Sequence, residues 1–275
     1  MRAQESSGIV KTASNSVVDG VRGVGDIAGA MVEVVSGTLV NTLRGTKAVG
    51  VELTSTITDT VLGAVRGATE VGSGVGEAAK GTLIGVLRGT KELGTNAIDT
   101  ISTSVSALIK STTSIGGDLA ATAEGAITGA IVAAKEIGVG TTEAASAAAG
   151  AIILNVGNIG AKIGAVAKST LLGTLRGSKE IGGDALDAVG STTSTLIKGT
   201  AEVGGDLAAT AKGAVEGVIV GAKEIGVDVS EAASVAATAA VKAAGQLGSA
   251  AAALVRDTVT GTIAGIKVVI KEPMK

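Results

Sequence analysis

Two segments, "GVGDIAG" (23–29) and "GSGVGEAAKG" (72–81), carry the letters of a phosphate cradle. In such a cradle glycine N–H groups surround the anion and a lysine completes the site. The spacing GxxxxGK[ST] is absent, and no buried-strand pattern precedes either segment. Carboxylate pairs such as Asp184 and Asp187 stand about one helical turn apart, but acid–base work needs a pocket and a matched partner group. The chain has no His, Cys, Phe, Tyr or Trp. That removes imidazole bases and ligands, thiolate nucleophiles, zinc clusters and disulfides. It also leaves cysteine usage silent about the redox compartment. A formal net charge of -2 gives no basic field for nucleic acid, and no aromatic ring offers a stacking platform. The expectation is a non-enzyme with no cofactor, no metal, no small-molecule substrate and no nucleic-acid partner.

The remaining charges form local pairs. Arg66 precedes Glu70 by four residues, as Arg88 does Glu92, Arg176 does Glu180 and Lys198 does Glu202. Such pairs share a helix face and contribute a few tenths of a kcal/mol when solvated, about 0.3–0.5. A solvated face is the first expectation for them, and pairing across helices or with headgroups is the alternative.

What must position these residues is a repeat. The 275 residues divide evenly into elevens, and alternate elevens differ, so the fuller unit is 22. "IGGDLAATA" (115–123) returns as "VGGDLAATA" (203–211), one sign of a duplication that relates 81–160 to 169–248. An 11-residue period is three helical turns at about 3.67 residues each. Counted from Gly45, positions 1, 2, 5, 6, 9 and 10 are mostly apolar or small, and positions 3, 4, 8 and 11 hold most charges. At about 98° per residue the first set fills nearly half the circumference of a helix. The period of two that a strand needs is missing. The chain therefore reads as all-α, with a more polar lead-in (1–22), a repeat region (23–264) and a tail (265–275).

The first expectation is long, continuous eleven-residue-repeat helices, single or folded back as hairpins, because loops in a stack tolerate insertions and none interrupts the register. The alternative is a stack of helices of about 18 residues, broken at the glycine that recurs every 22: Gly50, Gly72, Gly94, Gly116, Gly138, Gly160, Gly182, Gly204, Gly226 and Gly248. "IGGD", "VGGD" and "LGTN" fit a glycine C-cap followed by an Asp or Asn N-cap. A second set of glycines comes in pairs four apart: Gly81 with Gly85, Gly125 with Gly129, and Gly213 with Gly217. Both sets are candidate helix-packing positions, where two backbones approach closely.

Glycine inside a helix costs up to about 1 kcal/mol against alanine. A helix this rich in it cannot stand alone, so lipid or protein must cover the apolar stripe. At "GTKELG", "GSKEIG" and "GAKEIG" the chain resembles the eleven-residue lipid-surface repeats of synucleins and repeat-rich perilipins, and the 22-residue helices of exchangeable apolipoproteins. The likeness is one of period and composition over nearly the whole length. It implies helices lying in a lipid interface and disordered when free. Lysine is sparser here and there is no net positive charge to seek anionic headgroups. Late-embryogenesis proteins share the period but are far more hydrophilic. Helical antifreeze proteins share it with Thr and Ala, and Thr38, Thr60, Thr82, Thr170, Thr192 and Thr258 stand in one phase, interrupted by Ala126, Ala148, Ala214 and Ala236.

The functional expectation is a non-catalytic structural protein covering an extended hydrophobic surface, lipid first: a membrane, droplet or granule. The alternative is a self-assembling helical scaffold whose partners are copies of itself, and the remote alternative is ice binding. The polar start and the Ser, Asn, Gly and Ala content of the uncharged stretch from Ala144 to Ala161 argue against a signal peptide and a membrane span. The expected location is cytoplasmic, peripheral to a membrane or storage body.

Overall fold

A computed structural model describes residues 2–21, 27–44, 51–92 and 94–270. The fold is all-α. Twelve helices are described: α1 (Arg2–Val21), α2 (Ile27–Arg44), α3 (Val51–Glu70), α4 (Val75–Lys91), α5 (Ala97–Ser114), α6 (Leu119–Ile137), α7 (Thr141–Asn158), α8 (Ile163–Ile181), α9 (Ala185–Glu202), α10 (Leu207–Ile225), α11 (Val229–Leu247) and α12 (Ser249–Val259). A short antiparallel hairpin of β1 (Gly261–Ile263) and β2 (Ile266–Val268) follows, so a small piece of β-structure spans the expected boundary between repeat and tail.

Of the two helical arrangements, the structure takes the broken one, and the continuous helix is corrected. The reason lies in the backbone of the 22-residue glycines. Gly72, Gly94, Gly116, Gly138, Gly160, Gly182, Gly204 and Gly226 all have positive φ, from 62° to 81°. A left-handed residue ends a right-handed helix, and glycine takes that conformation without a Cβ penalty. After each one the next N–H reaches back five residues, as Gly117 does to Thr112 O (2.9 Å) and Gly205 to Thr200 O (2.8 Å). In five of the eight turns an Asx side chain then starts the following helix. Asn96, Asp118, Asp184, Asp206 and Asp228 accept backbone N–H groups in the first turns of α5, α6, α9, α10 and α11. These turns have nearly constant length, so the eleven-residue register survives every break. That is why an uninterrupted register did not require an uninterrupted helix.

Each helix from α1 to α11 packs most closely on a helix two places away along the chain. The molecule is thus a two-layer solenoid. One layer holds the odd-numbered helices α1 to α11, and the other holds the even-numbered helices α2 to α10. The end is closed by α12 against α10 and α11, with β2 against α11. The core lies between the layers and consists of Val, Ile, Leu and Ala with one methionine, Met31. Buried threonines complete it. Thr170, Thr174 and Thr200 donate to the carbonyl four residues earlier, which satisfies the hydroxyl and turns the methyl toward the core.

In this packing much of the apolar stripe is buried within the chain itself. The next helix of the same chain covers it. Large apolar side chains that remain exposed are few among the described residues: Ile159, Leu247, Leu254 and Val269.

Candidate functional site

The even layer is built on glycine. The residues of α4, α6, α8 and α10 that face the preceding even helix include Gly81, Gly85, Gly125, Gly129, Gly173, Gly213 and Gly217. At each of them an added Cβ would strike a carbonyl oxygen: Ala28 for Gly81, Val32 for Gly85 (2.8 Å), Gly76 for Gly125, Lys80 for Gly129 (2.7 Å), Glu124 for Gly173 (2.5 Å), Gly164 for Gly213 and Lys168 for Gly217. Backbone therefore meets backbone, the closest approach helices can make. From α5 onward the odd layer differs. There the atoms facing glycine belong to side chains, such as Thr195 Cγ2 at Gly150 (3.6 Å), Val235 Cγ1 at Gly190 (3.6 Å) and Val203 at Gly157. From α5 onward the even helices are closer together than the odd ones, so the stack bends there toward the even layer.

The bend shows in the charges. Lys80 of α4 reaches Glu180 of α8 (2.8 Å), passing over α6 between them. Glycine packing brings these helices close enough for the two side chains to meet above α6, and the bend makes the even face concave. Further pairs line it: Arg88–Glu136 (2.7 Å) joins α4 to α6, Lys168–Glu216 (3.8 Å) joins α8 to α10, and Arg176 of α8 holds both Glu124 of α6 and Glu224 of α10. Solvated same-helix pairs were expected. Instead Arg88 and Arg176 pair between helices, with residues 48 or 52 positions away, while Arg66 and Lys198 on odd helices make no ion pair among the described residues. Burial pushes the Glu124 carboxyl above its ordinary range, and the attraction of Arg176 offsets only part of that. The hydrogen bond to Glu136 raises Arg88 further.

These pairs give the 88-residue period a physical meaning. Lys80 and Arg88 on α4 recur as Lys168 and Arg176 on α8, while the corresponding positions on α6 carry Glu124 and Val132. From α4 to α10 arginine alternates with valine at this position (Arg88, Val132, Arg176, Val220), so Arg176 finds acids on both neighbouring even helices rather than another Arg. The duplicated clamps Thr112–Thr122 (3.1 Å) and Thr200–Thr210 (3.0 Å) span the turns after α5 and α9 and are likewise 88 residues apart.

At its N-terminal end the concave face widens into a cavity of about 670 Å³. Glu33, Glu77, Glu136 and Glu180 line it with Lys80 and Arg88, above a floor that includes Ala28, Val32, Ile84 and Val132.

The structure divides the two sets of candidate glycines. Gly81, Gly85, Gly125, Gly129, Gly213 and Gly217 sit at helix–helix contacts. Gly72, Gly94, Gly116, Gly138, Gly160, Gly182, Gly204 and Gly226 do not pack helices together: a Cβ there would meet nothing within 4 Å, and their role is to end helices. Gly248, with φ 141° and ψ 164°, makes a different corner between α11 and α12. Gly50 lies outside the described residues. Gly63, Gly67, Gly76, Gly164, Gly173, Gly177 and Gly221 also stand at close contacts. The 44-residue recurrence from Gly85 through Gly129 and Gly173 to Gly217 was the available signal for one of them.

The other chemical candidates resolve into structure. Asp184 is the N-cap of α9 and accepts from Leu186 N (2.9 Å) and Asp187 N (3.2 Å), so that carboxylate pair is a helix start. "GSGVGEAAKG" covers the end of the turn after α3 and the first two turns of α4, and is preceded by helix rather than strand. The segment 23–26 of "GVGDIAG" lies outside the described residues. No group of His, Cys, Asp or Glu among the described residues could hold a metal ion. Of the in-phase threonines, Thr60, Thr82, Thr170 and Thr192 are wholly buried, so they form no surface array for ice. No helix among the described residues is long and apolar enough to cross a membrane. No protein-family model matches the chain, and no curated protein matches it.

Proposed function

We propose that this chain is a non-catalytic structural scaffold, a curved two-layer solenoid that offers its concave even face and its edges to other molecules. The observation that carries this reading is the fate of the apolar stripe. Repeat helices bury it against their neighbours two places along, through glycine–carbonyl contacts that reward a uniform repeat. A lipid coat needs that stripe facing outward, and few large apolar side chains face outward among the described residues. The paired charges of the concave face give a rigid polar lining, and the absence of His and Cys leaves little acid–base or nucleophilic chemistry to mount on it.

Circular dichroism with and without vesicles tests the proposal against the lipid-surface alternative. The scaffold reading expects strong helicity in plain buffer, changed little by neutral or anionic vesicles. Weak helicity that rises sharply on adding vesicles would overturn it in favour of a lipid coat.

A further inference from the structure

The first helix pair sits in a different register from the rest of the stack. From α4 to α10, contacts in the even layer join residues a fixed distance apart along the chain. A Cβ at Gly129, Gly177 or Gly221 would meet Leu83 Cβ (3.3 Å), Ile131 Cβ (3.1 Å) or Leu175 Cβ (3.1 Å), each 46 positions earlier. The carbonyls at such contacts, Lys80 against Gly129 and Glu124 against Gly173, lie 49 positions earlier. Between α2 and α4 both separations grow by four. There a Cβ at Gly81, Gly85 or Gly89 would meet Met31 Cβ (2.7 Å), Val35 Cβ (2.9 Å) or Leu39 Cβ (3.4 Å), each 50 positions earlier. The facing carbonyls, of Ala28, Val32 and Ser36, lie 53 positions earlier. The odd layer repeats the pattern. Gly157 faces Val203 and Gly199 faces Ile153 across 46 positions, whereas Gly63 and Gly67 face Ala13 and Val17 across 50. Four residues make about one helical turn. Both α1 and α2 are therefore advanced by one turn along their own axes relative to the later repeats.

The sequence still carries the other register. "GTL" at 37–39 returns as "GTL" at 81–83, so the repeat matches Gly85 to Leu39 just as it matches Gly129 to Leu83. Moving α2 back by one turn makes that match. The move also preserves the chemistry of the contact. Met31, Val35, Leu39 and Leu43 are buried and stand four apart, so Gly81, Gly85 and Gly89 would each exchange one aliphatic side chain for the next. Interdigitated helices do not rest halfway between such positions, because ridges must fill grooves and packed surfaces are not continuously deformable. One-turn jumps of one element past another are a known form of switching for that reason. We propose that the α1–α2 pair occupies two registers on α3 and α4, the one seen and one a turn back, and so forms a sliding end to the stack. The inference goes beyond the scaffold reading and does not depend on it, since register is measured on a single folded chain.

The chain has no cysteine, so engineered pairs report contact directly. In the register seen, a Cβ at residue 89 lies 3.4 Å from that of Leu39, close to the span of a disulfide, about 3.5–4.5 Å. Val35 and Leu43 flank Leu39 by one turn on either side, and all three are buried. Disulfide closure under a mild oxidant is compared in the full chain for Leu39→Cys/Gly89→Cys, Leu43→Cys/Gly89→Cys and Val35→Cys/Gly89→Cys, with helicity recorded for each. The expected result is closure of the Leu39 and Leu43 pairs, the Leu43 pair about tenfold or more faster than the Val35 pair, as a populated register on one side only implies. Equal rates for the Leu43 and Val35 pairs would mean undirected breathing and would overturn the proposal. So would closure of the Leu39 pair alone, or of the Leu43 pair alone, since either means a single register. A second measurement leaves the core untouched. Nitroxide labels on Asn41→Cys/Glu77→Cys, both exposed positions, are expected to show two distances about 5 Å apart by electron–electron resonance. A single narrow distance overturns the proposal.

Discussion

At the scale of single residues, the fold depends on how buried hydroxyls are satisfied. Of the in-phase threonines, Thr170 and Thr258 return a hydrogen bond to their own helix, but the hydroxyls of Thr60, Thr82 and Thr192, and of Thr193 beside the last, are buried without a partner. A buried hydroxyl lacking a hydrogen bond costs about 1–3 kcal/mol, and valine keeps its shape. Thr192→Val is therefore expected to raise stability by about 1 kcal/mol in urea denaturation; a loss of stability would show that the hydroxyl has a partner after all. Glu124 makes a second test. Its folded pKa is raised, chiefly by burial, so its contribution favours folding below the ordinary value of 4.5 and is lost as pH rises through the folded value. Glu124→Gln is expected to be as stable as the wild type at pH 7 or more so, with the advantage shrinking as pH falls toward 4. A variant clearly less stable at pH 7 would mean that the pair with Arg176 outweighs the burial. Neither feature was legible in the sequence. The threonine phase was visible, but a helical phase does not say which face lies inward when neighbours pack on both sides.

At the scale of elements, two kinds of glycine that look alike in the sequence do different work. Gly125→Ala would drive a methyl group into the Gly76 carbonyl oxygen, and α4 and α6 would have to move apart. Overpacking of this kind costs typically about 1–3 kcal/mol. Gly37 of α2 stands 44 residues before Gly81, yet a Cβ there meets nothing within 4 Å, because no even helix precedes α2. Gly37→Ala is expected to stabilise by up to about 1 kcal/mol through helix propensity alone. Thermal melts of the two variants should move in opposite directions; shifts of the same sign would contradict the stacking order. The caps were legible beforehand, because "IGGD" and "VGGD" place a left-handed glycine and an Asp N-cap at a fixed distance. The choice between a break and a continuous helix was less so. An eleven-residue register alone cannot distinguish a helix that runs on from turns of constant length.

At the scale of the whole molecule, the sequence showed that the stripe needs a cover but did not identify the cover. Lipid, a second chain and the next helix of the same chain present the same demand to a single helix. The deciding contacts, such as Gly129 against Lys80 and Gly217 against Lys168, join residues 49 positions apart and have no local signature. The ion pairs extend the point, since Arg88 and Arg176 each have a glutamate four residues along yet pair with glutamates on neighbouring helices. Small-angle X-ray scattering of the lipid-free chain at low concentration tests the solenoid most directly. Two stacked layers should give a radius of gyration of roughly 20–25 Å, a little above the value for a compact domain of this length. A straight continuous helix would be roughly 410 Å long and scatter as a rod, with a radius of gyration above about 100 Å. A rod profile, or the swollen profile of an unfolded chain, would contradict the account.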